Sequence, residues 1–144
     1  MNNNSLSKAM YYLSKRIRSE KEVRDYLERK YFSLTDIEDT ITKLIEFNYL
    51  DDEIFTQIWI KDRVNFKNYG RNYIIYELKR KGIAEETILK NIEEIMTEEL
   101  EREIAQRYLI KKKIYSRKEK KAAYQALVRK GFSSSTINCV INNL

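Results

Sequence analysis

The sequence predicts an all-α chain built from three tandem three-helix repeats stacked into an elongated, curved molecule, and three observations carry that reading. Proline is absent and glycine occurs only as Gly70, Gly82 and Gly131, so almost nothing interrupts helix. Leu27–Phe32, Leu78–Ile83 and Leu127–Phe132 repeat one pattern, leucine with arginine and lysine ahead of an aromatic or isoleucine, at spacings of 51 and 49 residues. Each is followed by an apolar series at helical spacing, Ile37/Ile41/Leu44, then Ile88/Ile92/Ile95, then Ile137/Ile141/Leu144. A period of this size marks a repeated supersecondary unit that shares its hydrophobic face with its neighbours. The units are expected at 1–50, 51–96 and 97–144.

Taken in order, Leu6, Met10, Leu13 and Ile17 form the apolar stripe of a first helix. Ser19 with Glu22 makes a capping box that opens a second helix through Val23 and Leu27 to about Lys30. Thr35 with Glu38 offers another box for the third, whose apolar face is Ile37, Ile41, Leu44 and Ile45 and which ends near Asn48. The second copy starts at Asp51, capping a helix with Phe55, Ile58 and Trp59 on its buried face. Gly70 precedes the helix of Ile74 and Leu78, and Gly82 sits where a left-handed residue should end it. Tyr31 replaces that glycine in the first copy, so a different, strained turn is expected there. In the third copy Leu100, Ile104 and Tyr108 share a stripe, Ser116 and Glu119 cap a helix through Ala123 and Leu127, and Gly131 ends it. No glycine or proline marks Thr97, so the sixth and seventh helices can run together as one kinked rod.

Charge follows the repeat. The chain carries a net charge of +6, yet residues 8 to 30, 61 to 81 and 107 to 130 are net basic, while 34 to 53 and 85 to 103 are net acidic. The first two helices of each copy are therefore basic, and the third helix of the first two copies is acidic. Stacking in register turns this alternation into a polarised strip. The candidate contacts with an anionic partner are Lys15, Arg16, Arg18, Lys21 and Arg24 in the first copy, Arg63, Lys67, Arg71 and Lys79 in the second, and Lys111, Lys112, Lys113, Arg117, Lys118, Lys120 and Lys121 in the third. The last group is the densest, and each phosphate it neutralised would release a counterion and make binding salt-dependent. A helix-turn-helix protein would bring its third helix beside phosphates. Asp36, Glu38, Asp39 and Glu46, and again Glu85, Glu86, Glu93 and Glu94, oppose that docking in the first two copies.

Catalytic parts are missing. There is no histidine, the one cysteine is Cys139, and no base stands beside a nucleophile in a recognisable arrangement. A non-enzymatic protein without metal or cofactor is expected, with Cys139 a small buried hydrophobe and Tyr26, Tyr73 and Tyr124 as rims of the helical cores. The apolar runs are too short to span a bilayer and the Met1–Asn4 start is unlike a signal peptide, which points to the cytoplasm.

Several of these residues together resemble the RecX family of bacterial recombination regulators. Arg18-Ser19-Glu20-Lys21-Glu22 with Leu27 is similar to the family's S-E-x-E-L stretch, with Val23 in its leucine position. Asn48-Tyr49-Leu50-Asp51-Asp52-Glu53-Ile54-Phe55 is similar to G-Y-L-D-D-E-x-F, Asn48 replacing glycine. Gly70-Arg71, Glu77-Leu78, Lys81-Gly82-Ile83 and Arg129-Lys130-Gly131-Phe132 extend the match to about Leu6 to Leu144. The resemblance implies a monomer that lies along the groove of the RecA–DNA filament, suppresses ATP hydrolysis and strand exchange, and touches single- and double-stranded DNA. An independent helical DNA-binding protein and a helical protein–protein adaptor are the alternatives.

Overall fold

A computed structural model describes residues 3–144 and is all-helical over that span. The first repeat holds α1 (Asn3–Leu13), α2 (Glu20–Arg29) and α3 (Leu34–Glu46). The second holds α4 (Asp52–Phe66), α5 (Arg71–Arg80) and α6 (Glu85–Ile95). The third holds α7 (Glu98–Lys111), α8 (Lys120–Arg129), preceded by one 3₁₀ turn at Arg117–Glu119, and α9 (Ser134–Asn142). The accessible surface, 9073 Å² for 17.4 kDa, exceeds the roughly 7,800 Å² expected of a compact sphere-like chain of that mass. Stacked repeats account for the excess, because each unit is covered only by its neighbours.

Side chains set most helix boundaries. The Ser19–Glu22 capping box is present, and Asp51 accepts the N–H groups of Glu53 and Ile54 at 2.9 and 3.2 Å. The box expected at Thr35 and Glu38 is not used. Ser33 caps α3 instead, its hydroxyl accepting from Asp36 N, which starts the helix at Leu34. The sixth and seventh helices do not join: Met96 leaves helical geometry at φ −103°, ψ 78° while fully buried, and Thr97 caps α7 through Leu100 N.

The three repeated turns share one geometry. Gly82 and Gly131 both have φ +79°, and Tyr31 adopts φ +66°. Phe32 N, Ile83 N and Phe132 N each reach back to the leucine carbonyl five residues earlier, at 3.3, 3.1 and 3.1 Å. Tyr31 therefore makes the same turn as the glycines rather than a different one, and bears the strain of a left-handed non-glycine residue. It tolerates this because its side chain, 95% exposed, meets nothing.

Some expected core positions lie at the surface. Ile17, Ile45 and Ile58 are exposed although they fit the apolar spacing: α1 ends at Leu13, which leaves Ile17 in the connection to α2, and Ile45 and Ile58 sit on the flanks of stripes that their neighbours already fill. Cys139 is exposed as well, pointing away from the face that Ile137 and Val140 bury. Tyr26 and Tyr73 are half-buried rims as expected, whereas Tyr124 is exposed.

Two hydrophobic cores result. One lies within the first repeat, around Val23, Leu27, Ile41, Leu44 and Leu50. The other is continuous through the second and third repeats, from Phe55 and Ile60 to Leu127 and Ile137. The seam between the first and second repeats is instead polar: Ser19 Oγ donates to Lys81 O at 2.7 Å, Glu20 N to Asp52 Oδ1 at 2.8 Å, and Lys81 Nζ lies 3.2 Å from Glu22.

The candidate nucleic-acid interface and its supporting frame

The same inter-repeat joint is built twice. Glu20, first residue of α2, donates its N–H to Asp52 on α4, and Arg71, first residue of α5, donates its N–H to Glu101 on α7 at 2.9 Å. In each case the start of one repeat's second helix also meets the turn after the next repeat's second helix. Lys81 O accepts from Ser19, while Lys130 O and Gly131 O accept from Gly70 N and Asn72 N at 2.9 and 2.8 Å. A side chain on Gly131 would strike Tyr73 N and Cβ at 2.6 Å, so glycine is required there by the approaching helix as well as by φ.

Glu101 anchors the second joint. Only 1% exposed, it accepts from the hydroxyls of Ser133 and Thr136, both at 2.6 Å, and from the N–H groups of Arg71 and Ser133. Burial pushes its carboxyl up, and these hydrogen bonds outweigh burial and hold it below the ordinary carboxylate value. At the first joint the balance is reversed. Burial dominates at Asp52 and raises it, the Glu20 N–H opposing and the neighbouring Glu20, Asp51 and Glu22 charges adding to the rise.

The basic residues read from the sequence divide into two groups against this frame. Most of those in the first two repeats are paired. Arg16 meets Glu22 at 2.9 Å, Lys21 meets Asp25 at 3.0 Å, and Arg24 bridges Glu20 and Glu38. Arg63 forks onto Glu77 through Nε and a terminal nitrogen, both at 2.9 Å, and lies over the Trp59 ring. Arg71 donates to Met96 O at 2.8 Å, and Lys79 lies 3.9 Å from Glu85. Arg18 stacks on Tyr12, and Lys15 sits over Tyr11. Arg24 and Arg63 tie neighbouring helices together and Arg71 ties α5 to the end of α6, whereas Lys21 pairs within α2.

The third-repeat group is different. Lys111, Lys112, Lys113, Arg117, Lys118 and Lys121 are exposed, and none of them, nor Lys120, enters an ion pair among the described residues. Lys67 is likewise exposed and outside any such pair. Lys111 to Lys113 close α7, where cations suit the helix dipole; Arg117, Lys118, Lys120 and Lys121 crowd the start of α8, where they oppose it. Positive charge held against the α8 dipole, with only Glu119 to offset it, costs stability.

Sequence reasoning missed one feature here. Lys81 lies over Trp59, and Lys130 lies over Tyr69 and Tyr108, at 4.6 to 5.2 Å from the ring centroids. Both lysines stand in the repeated turn motif directly before its glycine, so the repeat itself carried the signal. Tyr12–Tyr26 and Tyr69–Tyr73 stack at 4.1 and 4.0 Å, the first pair against the core of the first repeat, so these rings are engaged inside the fold rather than free for a ligand.

Comparison with known proteins agrees with the repeat architecture. Residues 6–44 match the model of the first three-helix domain of RecX, and residues 51–90 match that of the second. The chain belongs to the RecX family. It is 35% identical over 143 residues to the regulatory protein RecX of Clostridium perfringens, covering 94% of this chain and 66% of that one. It is 35% identical over 132 residues to that of Finegoldia magna, covering 87% and 64%, and 33% identical over 141 residues to that of Oceanobacillus iheyensis, covering 94% and 51%. The chain thus spans about half to two-thirds of the length of these RecX relatives. The crystal structure of RecX from Lactobacillus salivarius superposes with a TM-score of 0.87 at 26% identity, over 99% of this chain and 95% of that one. Membership of RecX makes this a regulatory protein by family, and no described helix is long and apolar enough to cross a membrane.

Proposed function

We propose that this RecX-family chain is a non-enzymatic negative regulator of the RecA recombinase, acting in the cytoplasm as a monomer. It lies in the groove of the RecA–DNA filament and suppresses ATP hydrolysis and strand exchange. Its three repeats, 1–50, 51–96 and 97–144, act as one stacked unit that bridges neighbouring protomers. The phosphate contacts are Lys111, Lys112, Lys113, Arg117, Lys118, Lys120 and Lys121, together with Lys15 of the first repeat and Lys67 of the second. The observation that carries this assignment is the exposed cationic cluster between α7 and α8, free of ion pairs among the described residues, while Arg16, Arg24 and Arg63 are paired internally. The paired residues, Arg16, Lys21, Arg24, Arg63, Arg71 and Lys79, serve the frame.

The test is RecA ATPase on single-stranded DNA titrated with this protein. Substoichiometric inhibition is expected, with nucleic-acid affinity that falls steeply with salt. Reversing Lys111, Lys112, Lys113, Arg117 and Lys118 together to glutamate should lower affinity for single strands by at least about 10-fold at low salt and flatten the salt dependence, since each lost phosphate contact removes roughly 0.7 from the log–log slope. A folded variant that inhibits as well as the parent would remove the basic cluster from the mechanism.

A further inference from the structure

The two joints are alike in their hydrogen bonds but unlike on their outer surface. Asp52 and Glu101 occupy equivalent places, so Ile54 and Ile58 on α4 correspond to Glu103 and Arg107 on α7. At the second joint Arg107 closes the surface, donating to Asn68 Oδ1 and Val64 O, both at 3.3 Å. The first joint has no such cover. Its counterpart is an open cleft of about 270 Å³, lined by Leu13, Ile17, Arg18, Tyr49, Ile54 and Phe55. Tyr49 is 56% exposed, Ile54 51% and Ile58, one turn further along α4, 44%. The fold does not need isoleucine at these places, because its own third repeat is built with a glutamate and an arginine there. Apolar side chains left contiguous and wet where the fold allows charge mark a contact surface.

The cleft also holds an unmet cation. Arg18 stacks on Tyr12 at 3.8 Å, its Nε is buried without an acceptor, and it enters no ion pair among the described residues. The buried Nε is out of reach from solvent, so the terminal guanidinium nitrogens are the donors a carboxylate entering the cleft would meet. Asp51, on the rim, is already engaged by the N–H groups of Glu53 and Ile54. The volume lies below the roughly 300–1,000 Å³ of small-molecule pockets and suits one or two side chains.

We infer that this cleft is a protein-docking site that takes an aliphatic or aromatic side chain flanked by a carboxylate, the carboxylate meeting Arg18. Resting on the function proposed above, the segment belongs to the recombinase. The chain then divides its work: the open cleft between the first and second repeats grips protein, and the cationic cluster of the third meets phosphate. Apolar anchors in desolvated pockets dominate protein contacts, whereas phosphate contacts are long-range and salt-dependent.

The test is the double variant Ile54→Glu/Ile58→Arg, which installs the charges the third repeat already carries. It is expected to keep the helical circular dichroism and the single-strand affinity within about two-fold, while the concentration needed to inhibit RecA ATPase rises at least 10-fold. Tyr49→Lys, a change at a side chain outside the core, should raise that concentration at least three-fold and serves if the double variant fails to fold. Undiminished inhibition by these folded variants overturns the docking site and leaves the proposed function standing. Loss of DNA affinity in proportion to inhibition also overturns it, making the cleft a nucleic-acid contact. A parent protein without effect on RecA overturns the proposed function and the recombinase partner together.

Discussion

Glu101 is the residue on which the second joint turns. Replacing it by alanine orphans two N–H groups and two hydroxyls in a dry seam, a loss of about 3 kcal/mol or more, readable by urea unfolding. Its carboxyl is lower in the folded chain than in the unfolded one, so its contribution is complete above the unfolded value of about 4.3 and is lost as pH falls through the lower folded value. Asp52 has the opposite sign. Its folded carboxyl is raised, so ionisation opposes folding at neutral pH, and the penalty fades as pH falls through the raised value. Asp52→Asn, which keeps an oxygen for Glu20 N–H, should therefore melt at or above the parent temperature at pH 7 and lose that advantage near pH 3. Tyr31→Gly should relieve the left-handed strain and stabilise by roughly 1 kcal/mol, because the side chain it removes touches nothing.

Among the elements, the α7–α8 connection trades stability for charge. Arg117 and Lys118 occupy the 3₁₀ turn that leads into α8, where acidic residues would be favoured. Arg117→Glu/Lys118→Glu is thus expected to raise the melting temperature slightly, by the equivalent of about 0.5–1 kcal/mol, while weakening single-strand binding. Thermal melts and fluorescence anisotropy on one preparation check both halves. A change that strengthens a helix while disabling a contact separates function from folding, which charge reversal at Arg63 or Arg24 cannot do, since both bind helices to one another.

For the whole molecule, unequal seams predict unequal stability. The second and third repeats share a hydrophobic core, whereas the first meets the second mainly through hydrogen bonds and the Glu22–Lys81 ion pair. Amide exchange in α1–α3 should proceed through a lower-energy opening than in α4–α9, and hydrogen-exchange mass spectrometry under native conditions measures it. The open cleft lies on this weaker seam. A partner seated there would bridge both repeats and slow exchange in the first.

Much of this was legible in one dimension. Helical class, the three copies and the caps at Ser19, Asp51 and Ser116 follow from short-range spacing and from local hydrogen-bonding chemistry, which a linear sequence carries in full. The family resemblance rested on the same repeated residues. Which cations are free did not follow, because pairing joins residues distant in the chain: Arg63 with Glu77, Arg24 with Glu38, Lys81 with Glu22. Nor did the reason for glycine at the repeated turn, where Gly131 receives a neighbouring helix and Tyr31 receives nothing. By itself, then, the sequence determined helices and repeats, but not a basic first helix in every copy: α4 and α7 each carry more acidic than basic residues, because the acidic runs continue past the helix boundaries into them. The tertiary structure alone decided which charges are spent inside the fold and which apolar positions stay open, since both depend on contacts between repeats that no local spacing encodes.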